Sequence, residues 1–308
     1  MQDMEKVKTL LPIKEFIRLL TENAIAAAAP ERIVTLLPAQ ARYNQMSPPF
    51  YQPPAHPVLM NGSSVWSALG PVRNFTDEHF SRLTHLSANL LAYIHERNAS
   101  QPFYIIGSGL KATLLHQPRE LAHWYISLET LFNGKLHEAA IHLVDEAGIT
   151  NLLLQFDYHL LTKEKMLARF PSVYKHGATP QDFDATMPHA TFTACTEERF
   201  SVTLAPFTEA HCQGHFPEFT FVPVVFLQTS ITRQIYQWLE KIHGLQPAGL
   251  LPTNVEVYAW RIVETGKPLY LQHKVVPTGR QRFKILTHVY DSPARINANL
   301  LIVTDLFI

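Results

Sequence analysis

Alternating hydrophobic and polar positions predict two blocks of four β-strands along the chain. The strand-like runs are rich in Tyr, Ile, Leu and Thr, and turn signals such as Asn133-Gly134 separate them. The predicted strands of the first block are 103–115, 121–131, 136–144 and 149–161, and those of the second block are 252–263, 268–277, 281–290 and 295–307. One more strand is predicted at 190–205.

Apolar residues at helical spacing precede each block. Residues 222–243 carry a wide apolar stripe that includes Leu227 and Ile231, which predicts a helix largely enclosed by a sheet. A second helix is predicted after Thr76, a suitable N-cap residue, and a leading amphipathic helix over 12–28. A helix followed by four strands therefore occurs twice.

The spacing of the two blocks is nearly constant. Corresponding strands begin 149, 147, 145 and 146 residues apart (252 − 103, 268 − 121, 281 − 136 and 295 − 149). We interpret the chain as an α+β protein with an N-terminal module at 1–165, a connector at 166–188 and a C-terminal module at 189–308. The alternative is an unrelated α+β protein whose strands happen to be evenly spaced.

Composition narrows the class of protein and its partners. Hydrophobic residues make up 46% and charged residues 17%, which is enough for a sizeable core, and 26 Lys and Arg balance 26 Asp and Glu. A neutral chain argues against nucleic acid or an anionic membrane as the dominant partner, but it leaves room for a local basic mouth that binds a phosphate. Two cysteines, no signal peptide and no long apolar run lead us to expect a cytoplasmic protein.

The segment richest in chemical information is Gly214-His215-Phe216-Pro217, which Pro223 and a long apolar helix with Gln234 follow. It resembles the active-site segment of the β-hydroxyacyl-thioester dehydratases of fatty-acid synthesis, which belong to the hotdog superfamily. The resemblance implies an antiparallel sheet wrapped around a central helix, with two such units side by side. A tandem pair of hotdog modules in one chain would form a pseudo-dimer, either as a monomer or within a homodimer.

The resemblance also implies roles for single residues. His215 would take the proton α to the thioester carbonyl, and the amides of Val224 and Val225 would polarise that carbonyl. Further substrate-binding positions implied by the motif are Gly214, Phe216 and Pro217.

The family's helix carboxylate has no counterpart here. It would fall on Thr229 or Ser230, depending on whether positions are counted from Pro223 or from Gln234, and neither residue is acidic. Glu218 could substitute for it, although a solvated loop position is the simpler interpretation. Gln228, Thr229 and Ser230 could instead position a water or a carbonyl, as polar helix residues do in hotdog thioesterases, or simply face the partner module.

The first half holds a weaker echo of this segment. His56 to Gly62, followed by Ser63, Ser64 and Ser67, resembles the start of the central helix in the same dehydratases, with Ser67 where the acid would stand. It is also similar to a Gly-Ser-Ser-like helix start in the double-hotdog acyltransferase/decarboxylases of polyketide assembly. We therefore predict a helix start here, with His56, Gly62, Ser63, Ser64 and Ser67 approaching the substrate across the module interface. Ordinary helix capping by the serines is the alternative.

The function implied by the resemblance is that of an enzyme acting on an acyl thioester, carried on acyl carrier protein or coenzyme A. A dehydratase of polyketide or fatty-acid-type biosynthesis fits the loop histidine. The missing carboxylate keeps open a thioesterase, an acyltransferase or decarboxylase, a condensing enzyme like the A-factor synthases, and a non-catalytic acyl-binding module. No cofactor beyond the carrier's phosphopantetheine is expected, and no metal, because His211, Cys212 and His215 match no common zinc pattern.

Overall fold

The computed structural model describes twelve stretches of the chain. They are residues 58–61, 64–71, 91–92, 95–96, 99–116, 123–132, 137–145, 147–177, 182–216, 218–245, 252–279 and 282–307. The predicted leading helix and most of the predicted helix after Thr76 lie outside these residues, although 91–92 and 95–96 are helical. The predicted site residues outside them are His56, Gly62, Ser63 and Pro217.

One 12-stranded antiparallel sheet organises the described residues. Its strands are β1 (Val58–Asn61), β2 (Ser64–Pro71), β3 (Phe103–Leu114), β4 (His123–Phe132), β5 (His137–Val144), β6 (Thr150–Thr162), β7 (Ala190–Cys195), β8 (Arg199–Leu204), β9 (Pro252–Ala259), β10 (Leu269–Gly279), β11 (Arg282–Tyr290) and β12 (Leu300–Phe307). The two predicted blocks of four strands, β3–β6 and β9–β12, are confirmed within a few residues.

The order of the strands repeats along the sheet. It runs β1-β2-β4-β5-β6-β3 through residues 58–162 and continues β9-β12-β11-β10-β8-β7 through residues 190–307. The second run, read from its own outer edge, has the same order as the first. β3 and β9 meet in the middle, where Leu110 pairs with Val257, so they join the two runs into one sheet.

Two predictions fail at hairpins. The predicted strand 190–205 is two strands, β7 and β8, because the chain reverses at Thr196, whose side chain accepts a hydrogen bond from the backbone N–H of Arg199.

The predicted helix start in the first half is wrong as well. β1 and β2 form an antiparallel pair in which Asn61 lies opposite Ser64, and Ser67 lies opposite Val58. Ser64 and Ser67 are therefore strand residues. The register leaves two residues between the strands, which is the commonest loop length in a β-hairpin.

Two α-helices lie wholly within the described residues: α1 (Lys163–Arg169) and α2 (Val224–His243). α1 spans the predicted boundary between residues 165 and 166. In α2 the predicted apolar stripe is buried as expected, with Leu227 and Ile235 at 0% exposure and Ile231 at 1%. The Trp238 indole N–H donates to the Thr196 carbonyl at 2.8 Å, which ties the helix to the β7–β8 turn.

Candidate functional site

A cavity of about 240 Å³ lies where the loop before α2, the first turns of α2 and the central strands β3 and β9 meet. Its wall is mostly apolar, and both runs of the sheet contribute to it. A concave apolar site with a few converging polar groups is the usual form of a small-molecule site. The cavity is therefore the candidate functional site.

The loop that carries His215 is shaped by a glycine and by two turns. Gly214 has φ +91°, a conformation that side chains disfavour, and the His215 N–H donates to the Cys212 carbonyl at 3.0 Å. The half-buried His215 ring lies 4.1 Å from the Phe216 ring and meets the Phe221 ring edge-on at 5.5 Å. These contacts fix the imidazole at the cavity wall, which it lines together with Phe216.

The chain after α1 holds this loop in place. Tyr174 and Phe219 form an isolated antiparallel bridge, and the Thr220 N–H donates to the Val173 carbonyl at 3.1 Å. Glu218 forms an ion pair with Lys163 at 2.6 Å. Burial, followed by the neighbouring Glu218 carboxylate, raises the pKa of Tyr104 to about 12. Glu218 does not line the cavity, so its contacts are those of a loop anchor.

The start of α2 offers unused backbone donors to the cavity. Pro223 is the N-cap residue, and no side chain caps the helix. Val224 and Val225 both line the cavity, and no earlier helical turn supplies a carbonyl that could accept a bond from their N–H groups. The aligned peptide dipoles add a partial positive charge at this point. An oxygen that gains negative charge in the cavity would be stabilised here.

The three polar residues of α2 singled out in the sequence differ in their surroundings. Gln228 is 6% exposed and lines the cavity, and its amide oxygen has no hydrogen-bond partner among the described residues. The Thr229 hydroxyl donates to the Val225 carbonyl at 3.0 Å, and the Ser230 hydroxyl accepts from the Gln234 amide at 3.1 Å. Thr229 and Ser230 are absent from the described lining, so Gln228 alone of the three faces the cavity.

The opposite wall comes from β3 and β6. Gly107, Ser108 and Gly109 line it, and the register of β3 against β6 shifts between Gly107 and Gly109. Tyr158 also lines this wall, and its hydroxyl lies 2.7 Å from His95 Nε2. Burial, followed by the neighbouring His137, lowers the pKa of His95 to about 4, so this imidazole is neutral at cellular pH.

The first-half wall therefore differs from the predicted one. Ser64 and Ser67 lie in β2, which β4, β5 and β6 separate from β3 in the sheet. The sequence analysis predicted that serines of the first half would approach the substrate, whereas the structure has Gly107 and Gly109 of β3 in the cavity wall.

The charge of the described lining is one-sided. Arg169 and Arg261 lie in the wall together with His159 and His215, and no Asp or Glu does among the described lining residues. In a chain with no net charge, this makes the cavity locally electropositive.

Several lining residues were missed by the sequence analysis. Arg169 fell in the predicted connector, and Trp260 and Arg261 fell in a predicted strand that ends at Ala259. The paired glycines of β3 did carry a usable signal, because glycine inside a strand pattern often marks a bulge or a close approach.

Two other features are absent from the described part of the chain. Within it, no group of three or more His, Cys, Asp or Glu side chains could hold a metal ion. No helix of the described residues is long and apolar enough to cross a membrane.

Comparisons with known proteins give structural matches. No family model and no curated protein sequence matches the chain. The 12:0-ACP thioesterase of Umbellularia californica superimposes with a TM-score of 0.51 at 6% identity, over 80% of this chain and 95% of that one. A Lactobacillus plantarum protein assigned as an oleoyl thioesterase gives 0.50 at 10% identity, over 80% and 97%. A third match, a protein with the hot dog fold from Alicyclobacillus acidocaldarius, gives 0.44 at 9% identity, over 81% and 94%.

At these identities the likeness establishes the fold alone. The likeness to the two thioesterase structures agrees with the kind of fold that the sequence predicted.

Proposed function

We propose that this chain is an acyl-thioester hydrolase built from two tandem hotdog modules. The observation that carries the proposal is the meeting of three groups in one apolar cavity: the His215 imidazole, the free N–H groups at the start of α2 and the Gln228 amide. A base, an oxyanion site and a polar group that can orient water are the parts that thioester hydrolysis requires.

The proposed reaction uses these groups in sequence. His215 takes a proton from a water molecule whose second hydrogen bond is made by Gln228. The water oxygen then bonds to the thioester carbonyl carbon, and the carbonyl electron pair moves to the oxygen, which the Val224 and Val225 N–H groups stabilise. The C–S bond breaks, the carbonyl re-forms, and the leaving sulfur takes the proton from His215. Thioester and water thus yield acid and thiol.

Hydrolysis suits the cavity better than dehydration does. Dehydration needs an acid for the departing β-hydroxyl in addition to the base that takes the α proton. The described lining carries no carboxylate, and Thr229 and Ser230, where the family's acid would fall, are bonded within α2.

Dehydration is the second candidate, and the Gly214-His215-Phe216-Pro217 segment favours it. This segment resembles that of the dehydratases more closely than any other stretch of the chain does. A single histidine that first takes the α proton and then returns it to the hydroxyl would need no carboxylate.

The tandem arrangement is part of the same proposal. The repeated strand order and the antiparallel β3–β9 junction support two modules related as a pseudo-dimer, with the cavity at their junction. One functional cavity then draws its histidine and helix from the second module and its opposite wall from the first.

A paired substrate assay separates the two reactions. Purified protein is incubated with a saturated acyl-coenzyme A and with the 3-hydroxyacyl-coenzyme A of the same chain length. Released thiol is followed with a thiol reagent, and the enoyl thioester by its absorbance and mass. Hydrolysis predicts thiol release from both substrates.

Matched variants tie the activity to the cavity. Gln228→Leu, which keeps the volume and removes the amide, should lower kcat for thiol release about tenfold or more. Arg233→Gln, on the exposed face of α2, should leave it unchanged. Formation of the enoyl product without release of thiol would show that the reaction is dehydration and not hydrolysis. If no acyl thioester of any chain length or carrier is turned over, both proposals are contradicted.

A further inference from the structure

Two arginines from distant parts of the chain lie in the wall of the same cavity. Arg169 ends α1 and Arg261 follows β9, and both side chains are exposed to solvent. Their exposure places them on the solvent side of the cavity, whose remaining wall is mostly apolar. A ligand that matches this distribution carries an anionic group at one end and an apolar chain at the other.

Both arginines sit on well-anchored segments. The Arg169 guanidinium lies 5.4 Å from the centre of the Phe170 ring, and Phe170 in turn packs against Phe221 at 6.0 Å, on the loop that carries His215. On the other side, the Arg261 N–H donates to the carbonyl of Asn299 at 3.2 Å, and Asn299 is 1% exposed. The backbone at Arg169 is thus fixed relative to the loop that carries His215, and the backbone at Arg261 is fixed relative to the sheet.

The two arginines also differ from four of the described lysines, which form ion pairs. Lys163, Lys175, Lys267 and Lys284 each pair with a carboxylate. Neither Arg169 nor Arg261 forms an ion pair with any carboxylate of the described residues. An unneutralised guanidinium offers a planar fork of N–H donors that matches a phosphate.

We infer that Arg169 and Arg261 bind the phosphate of a phosphopantetheine arm, with its thioester end reaching His215. The inference rests on the proposed function for the thioester, and it adds the recognition of the carrier. In the proposed reaction the product carboxylate forms beside the Val224 and Val225 N–H groups, so the arginines are available for a second anionic group. Coenzyme A and acyl carrier protein share the phosphopantetheine group, and the experiment distinguishes them.

The experiment compares three substrates with the same acyl group: the coenzyme A thioester, the acyl carrier protein thioester and the N-acetylcysteamine thioester, which has no phosphate. The variants are Arg169→Gln, Arg261→Gln and the double variant, with Arg233→Gln as the matched surface control. We expect KM to rise about tenfold or more in each single variant for a phosphate-bearing substrate, with kcat kept within about twofold. The N-acetylcysteamine substrate should respond less than twofold.

Charge-conserving variants and salt give an independent readout. Arg169→Lys and Arg261→Lys should give intermediate KM values, since the charge stays and the fork is lost. Wild-type KM for the phosphate-bearing substrate should rise with ionic strength, and that slope should flatten in the double Gln variant. Thermal unfolding of each variant shows whether the fold is retained.

The outcomes separate the carriers. A rise in KM for the carrier-protein substrate alone identifies acyl carrier protein as the carrier. A rise in KM for the coenzyme A substrate alone, which Trp260→Ala also produces, identifies coenzyme A. Trp260 is 60% exposed in the same wall and can stack on adenine. Effects on both identify their shared phosphate. Equal effects on the phosphate-free substrate, or none on any substrate, would overturn the inference.

Failure of the proposed function can be told apart from failure of this inference. Titration of coenzyme A itself into wild-type and variant protein measures binding without turnover. Weaker binding in both arginine variants, in a protein that turns over no thioester, would retain the phosphate site and reject the hydrolase. Equal binding in all variants would reject the phosphate site.

Discussion

The two runs of the sheet, residues 58–162 and 190–307, share a strand order but meet the central cavity with different parts. The first run presents a strand surface, with Gly107 and Gly109 on β3 and Tyr158 on β6. The second run adds the start of a helix and the loop with His215 to strand residues such as Val257 on β9. A common strand order therefore supports two kinds of wall, and the candidate chemistry lies on the wall that carries free backbone donors.

Two histidines with lowered pKa values show the same contrast. In the first run, the half-buried His95 binds the hydroxyl of Tyr158, which itself lines the cavity. In the second run, the buried His273 is stacked 3.9 Å from the Phe200 ring and bonded to the Thr287 hydroxyl at 2.9 Å. One histidine supports the cavity wall, and the other belongs to the core.

The largest expected effect is a loss of activity, and it shows which wall of the cavity carries the catalytic base. His215→Ala should lower kcat/KM by about 100-fold to 10,000-fold, the usual loss when a general base is removed, while the fold is retained. His159→Ala, which removes an imidazole of the first-run wall, should cost less than about tenfold. Steady-state kinetics and circular dichroism measure both. A larger loss in His159→Ala than in His215→Ala would move the chemistry to the first run.

The next effect concerns the helices. Ile231→Ala should lower the free energy of unfolding by about 2–5 kcal/mol, because the side chain is 1% exposed under the sheet. Leu91→Ala is the counterpart in the first run, where Leu91 is helical and also 1% exposed. Urea unfolding measures both losses. A cost below 1 kcal/mol for Ile231→Ala would mean that α2 is not enclosed.

Acid should destabilise the core of the second run. Burial lowers the pKa of His273 from 6.5 to about 3, so below pH 6.5 the unfolded chain binds a proton that the folded chain excludes. The stabilising contribution is complete above pH 6.5 and is lost as the pH falls from there. Between pH 7.5 and pH 5, His273 alone accounts for about 2 kcal/mol of lost stability.

His273→Leu should remove that share of the pH dependence, and urea unfolding at the two pH values measures it. His288→Leu, on β11, serves as the control. An unchanged pH dependence in His273→Leu would mean that this histidine is protonated in the folded protein.

The smallest effect sharpens the description of the first-run wall. No atom lies within 4 Å of the position that a Cβ on Gly107 would occupy, so Gly107→Ala should change stability by less than about 0.5 kcal/mol. The added methyl group would face the cavity opening and should lower kcat/KM a few-fold for the bulkiest acyl groups. At Gly109 a Cβ would lie 2.8 Å from the Asp157 carboxylate, so Gly109→Ala should be the less stable of the two variants. Chain-length profiles and melting curves give both comparisons.

The sequence by itself determined the strands and the enclosed helix. Alternation and helical spacing are local patterns that burial imposes on each segment separately, which is why β3–β6, β9–β12 and α2 were predicted within a few residues. His215 and Gln228 could be named because a single contiguous segment carries both. The pairing of β1 and β2 was predictable in principle, since Gly-Ser is a residue pair typical of a two-residue hairpin turn, whereas the resemblance to the dehydratases favoured a helix start.

Only the tertiary structure decided what faces that segment. Arg169, Tyr158 and Arg261 come from three separate regions, and no local pattern relates them. They meet because β3 pairs with both β6 and β9, and because the chain after α1 bridges to the loop before α2 at Tyr174. Such long-range pairings depend on the packing of the whole sheet, whereas the periodicity of one strand records only which of its own faces is buried.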